Sequence, residues 1–83
     1  MKAEFNKLSK EILNDMKPQF PLLKEVIIRQ FQPTYIEYVF SFDWSLMFSA
    51  IVRYITETYG LEYCYKESNP ISCEDNFVFH LNI

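Results

Sequence analysis

The side chains best suited to chemistry in this 83-residue chain are one histidine, His80, two cysteines, Cys64 and Cys73, and the adjacent carboxylates Glu74 and Asp75. Cys64, Cys73 and His80 offer three metal ligands, with Asp75 as a fourth. Zinc sites usually draw on ligand pairs about two to four residues apart, whereas these ligands stand nine and seven positions apart. The spacing predicts no metal centre. Ser72-Cys73 could supply a nucleophile, but no second histidine or basic cluster lies nearby in sequence to activate it. Glu74-Asp75 falls in a polar stretch and reads as a solvated turn rather than an acid–base pair. Phosphate-cradling loops need several glycines, and the chain has only Gly60. No enzymatic activity, cofactor or metal is expected.

Composition explains what the residues do instead. Eight Phe, six Tyr and one Trp bring large buriable surfaces to a short chain. The length suits one domain over residues 1–83. No stretch approaches the roughly 20 apolar residues that span a bilayer, and residues 1–17 mix lysines and acids in a helical stripe unlike a signal peptide. The expected location is the cytoplasm, where both cysteines would stay reduced. Net charge is −3, unevenly placed. Residues 1–29 carry six basic and four acidic side chains, whereas residues 30–83 set Arg53 and Lys66 against seven carboxylates. That acidic bulk argues against contact with a phosphate backbone. The aromatic run 76–83, NFVFHLNI, lacks the basic residue and glycines of RNA-binding strands, so no direct nucleic-acid binding is expected.

The elements that must position these residues follow from periodicity. Phe5, Leu8, Ile12 and Met16 predict a helix over 3–16, closed by Lys17-Pro18. Residues 22–32 fit either a helical face or a strand; the β-branched run Val26-Ile27-Ile28 favours a strand over 24–32. Ile36, Tyr38, Phe40 and Phe42 alternate with Tyr35, Glu37, Val39 and Ser41, a second strand completing a hairpin. Asp43 reads as the N-cap of a helix over 44–59, with Gly60 as its left-handed cap. Leu61, Tyr63 and Tyr65 alternate with Glu62, Cys64 and Lys66 in a third strand. Residues 67–76 read as a loop, and 77–83 as a fourth strand with Phe77, Phe79, Leu81 and Ile83 on one side. The predicted fold is a two-layer α+β sandwich of order αββαββ, with two helices on one face of a four-stranded antiparallel sheet.

On that arrangement the other sheet face carries Tyr35, Val39, Cys64, Val78 and His80, with Glu37, Glu62, Glu67, Glu74 and Asp75 around it. Aromatic anchors inside an acidic rim suit a basic protein surface. The predicted contributors are Tyr35, Glu37, Glu62, Glu67, Glu74 and Asp75. A short, acidic, glycine-poor domain without visible chemistry has the profile of small inhibitors that occlude nucleic-acid-binding grooves, such as phage anti-defence proteins, anti-CRISPRs among them, or immunity proteins. The alternatives are a homo-oligomeric accessory subunit, such as a homodimer, and a small-ligand sponge lined by Tyr and Phe.

Overall fold

A helix that meets proline must stop, and helix α1 (Lys2–Met16) does so one residue before Lys17-Pro18. The amides of Gln19 and Phe20 close on the carbonyl of Met16, turning the chain into strand β1 (Leu23–Gln32). The computed structural model describes residues 2–43 and 48–82. They form α1, β1, β2 (Tyr35–Asp43), α2 (Phe48–Tyr59), β3 (Glu62–Asn69) and β4 (Glu74–Asn82) in that order. The ambiguous segment is a strand. The architecture is α+β, with two helices and a four-stranded antiparallel sheet.

The strands lie in the order β1-β2-β4-β3, so β2 and β4 are central and β1 and β3 form the edges. Both hairpins are antiparallel, and β2 also pairs antiparallel with β4. It follows that β2 and β3 run parallel, joined through α2, with β4 between them. Alternation decides the faces. Ile36, Tyr38, Phe40 and Phe42 of β2 are buried with Phe77 and Phe79 of β4, and Ile12, Met16, Ile51 and Ile55 of the helices join the same cluster. The rings meet edge to face along diagonals of the register: Phe40 with Phe79 at 5.4 Å and Phe42 with Phe77 at 5.3 Å. On the helical layer, the hydroxyls of Tyr54 (3.1 Å) and Tyr59 (2.5 Å) both donate to the Asp15 carboxylate, tying α2 to the end of α1.

Several local expectations need adjusting. The segment 67–76, read as a loop, is mostly sheet: β3 runs to Asn69 and β4 starts at Glu74, leaving only a turn at 70–73. Asn69 Oδ1 accepts the amides of Ile71 and Ser72 to shape that turn, and Cys73 takes a left-handed φ of 54°. Asp43 ends β2, and residues 44–47, the expected first turn of the second helix, lie outside the described residues, as does Ile83. Gly60 has the expected left-handed φ of 66°, and its amide donates to Thr56. Simple alternation also fails in β3. A bulge between Tyr63 and Tyr65 sets Tyr65 opposite Val78, on the face away from the helices. Lys66 then turns inward, its Nζ 5.6 Å above the Phe48 ring.

Candidate functional site

With the described core gathered on one side, the second sheet face is left to the outward residues of the strands. The register places Glu37 of β2 and Glu62 of β3 on either side of His80 in β4. Cys64, the extra residue of the bulge, has its Sγ 2.6 Å from His80 Nδ1. His80 Nε2 is 3.4 Å from Glu62 Oε2. One tautomer satisfies both contacts: the thiol donates to Nδ1 while Nε2–H donates to the carboxylate. The Tyr35 ring stacks on the imidazole at 5.4 Å, and Phe31, 57% exposed, leans on Tyr35 at 6.2 Å. Tyr65, 48% exposed, and Glu67 extend the surface along β3.

Thus Tyr35, Glu37, Glu62 and Glu67 come together on one face around His80 and Cys64. Glu74 and Asp75 do not. Asp75 shares the inward parity of Phe77 and Phe79, is only 3% exposed and accepts a hydrogen bond from Ser68 at 2.7 Å. Glu74 sits at the end of the sheet and pairs with Lys24 at 2.5 Å, beside Asp43. Arg29 of β1 stands opposite Glu37 in register, so the acidic character is greatest toward β3.

The cysteine–histidine–carboxylate line has the connectivity of an activated nucleophile, and sequence separation had hidden it. Its electrostatics point the other way. Burial first, then the charges of Glu62 and Glu37, push the Cys64 thiol above its ordinary value. The same surroundings raise the neighbouring phenols: burial leads for both Tyr35 and Tyr65, followed by Cys64 for Tyr35 and Glu67 for Tyr65. This face therefore disfavours thiolate and phenolate alike. Among the described residues no three His, Cys, Asp or Glu side chains are grouped to hold a metal ion. No described helix is long and apolar enough to cross a membrane. The chain matches no family model, no curated protein and no solved structure.

Proposed function

We propose that this protein is a non-enzymatic binding module whose outward sheet face docks on a basic surface of another protein. The observation that carries the reading is the aromatic centre of Tyr35, His80 and Tyr65 set among Glu37, Glu62 and Glu67 on one uninterrupted face. Aromatic rings supply contact area at little rotamer cost, and carboxylates around them steer a cationic partner. An inhibitor that covers the nucleic-acid groove of a target, as a phage anti-defence or immunity protein would, is the form of this function that best fits the acidic profile.

The test is affinity capture from host lysate, followed by binding kinetics on the captured protein. Glu37→Lys, Glu62→Lys and Glu67→Lys together should slow association and flatten its salt dependence, with circular dichroism confirming that the variant is folded. Tyr35→Ala should instead speed dissociation. Glu74→Lys, at the far end of the sheet from His80 and paired with Lys24 rather than set among the aromatic rings, is the control and should leave association unchanged. A partner that binds equally at low and high salt and tolerates the triple reversal would sink the proposal.

A further inference from the structure

The two sheet edges differ in a way that bears on assembly. Edge strands expose unpaired amides and carbonyls, and proteins commonly blunt them with bulges and charge. Strand β3 is blunted: it carries the bulge at Cys64 and the charges of Glu62, Lys66 and Glu67. Strand β1 is not. Its pairing with β2 is regular from Glu25 to Gln30, between irregularities at either end. That stretch reads Glu-Val-Ile-Ile-Arg-Gln, with its two charges cancelling. An open cleft of about 520 Å³ runs beside it, lined by Ser9, Lys10 and Leu13 of α1 and by residues 25–28 of the strand.

We propose that this edge pairs with the same edge of a second copy, β1 against β1 antiparallel, about a two-fold axis at Ile27. The charge pattern selects both the occupant and the register. With the axis at Ile27, Glu25 of each copy faces Arg29 of the other, and Val26 faces Ile28. Moving the axis to Glu25 or to Arg29 sets like charges opposite one another, and intermediate positions leave both charges without an opposite partner across the strands. Glu25 and Arg29 are both exposed, so each is free to meet its counterpart. The result is an isologous contact that joins two four-stranded sheets into one of eight. This assembly uses none of the proposed binding residues: Tyr35, Glu37, Glu62 and Glu67 lie on β2 and β3, with Arg29 their neighbour beside Glu37 on the same face.

Sedimentation equilibrium across a concentration series tests the contact, with circular dichroism confirming that each variant is folded. So short an interface should be weak, with dissociation constants on the order of 10–100 μM. Glu25→Arg alone and Arg29→Glu alone should each weaken association roughly tenfold or more, because symmetry places two like-charge pairs in the contact. Mixing the two single variants should restore it as a heterodimer, since every cross-strand pair is then opposite in sign. Hydrogen exchange supplies a second measurement: amides of residues 25–30 that face away from β2 should gain protection as concentration rises. A wild-type chain that stays monomeric up to about 1 mM overturns the inference. So does a dimer indifferent to the single reversals, or a mixture no stronger than its components. Edge amides that exchange rapidly at every concentration would leave β1 to a foreign strand and exclude self-pairing.

Discussion

Replacing Phe79 tests which face of the sheet is the buried one. The residue is fully buried in central strand β4, between Tyr38 of β2 and Tyr63 of β3 in register. Its ring meets Phe40 at 5.4 Å and Tyr63 at 5.5 Å, both edge to face. Truncation to alanine should cost about 3–5 kcal/mol, with each lost ring contact contributing about 0.5–1.5 of it. A chain of this length has roughly 4–12 kcal/mol in total, so Phe79→Ala should be marginal at best. Phe79→Leu keeps most of the volume and should cost about 1–2 kcal/mol, a fall in melting temperature of roughly 4–16 °C. Phe79→Asp adds an unpaired carboxylate to the lost packing and should be unfolded at neutral pH, with partial refolding in acid as the carboxyl gains its proton. Thermal and urea melts followed by circular dichroism separate the three. Ile51→Asp, equally buried on the helical side, should behave like Phe79→Asp. An Asp variant at either position that melts like wild type would show that the inward face has been misassigned.

Two further predictions concern groups whose protons the fold holds. Burial, then hydrogen bonding to Asp15, raises the phenols of Tyr54 and Tyr59. The folded state keeps these protons longer than the unfolded chain, so their stabilisation is complete below about pH 10 and is lost as pH rises toward the folded-state values. Melting temperatures measured across alkaline pH should fall, and Tyr59→Phe should make that fall shallower; an unchanged slope would show that the link to Asp15 does not hold these protons. Because burial and the carboxylates keep Cys64 protonated, iodoacetamide at neutral pH should label exposed Cys73 first, and Glu62→Gln should quicken labelling of Cys64. Peptide mass mapping reads the order. Preferential labelling of Cys64 would instead mean that His80 takes the thiol proton and that the line of residues is an activated nucleophile.

The fold class was legible because burial and alternation agree wherever a strand has one apolar side. Phe40 and Phe42, Phe77 and Phe79 repeat every second residue, and Ile51 and Ile55 lie one helical turn apart. Legibility ended at edge strand β3. Glu67, Ser68 and Asn69 have no apolar face because they are exposed, so composition made them look like a loop. The bulge at Cys64 left no glycine or proline to announce it, yet one added residue exchanges the faces of Tyr65 and Lys66. The burial of Asp75 did have a readable signal: it shares parity with Phe77 and Phe79, and Ser68 provides a partner. The meeting of Cys64 with His80 had none. It depends on the register between two strands joined by the short turn at 70–73, which neither residue reports by itself.

The placement of edge and face has a consequence for how strongly such a protein could bind. A two-fold axis at Ile27, perpendicular to the sheet, keeps the outward faces of both copies on the same side. The proposed pairing would therefore present two acidic, aromatic patches in one plane, with Glu25 and Arg29 neutralised along the seam between them. A partner with a single cationic patch gains nothing from this arrangement, because the second face stays empty. A partner with repeated basic patches, or one that is itself two-fold symmetric, would gain the effective concentration of the second site without any new contact. The two cases separate on a single variant. Glu25→Arg, which leaves the patch residues untouched, should leave one-to-one affinity unchanged but should reduce the avidity of a symmetric target. That difference would assign the strength of the complex to the edge and its specificity to the face.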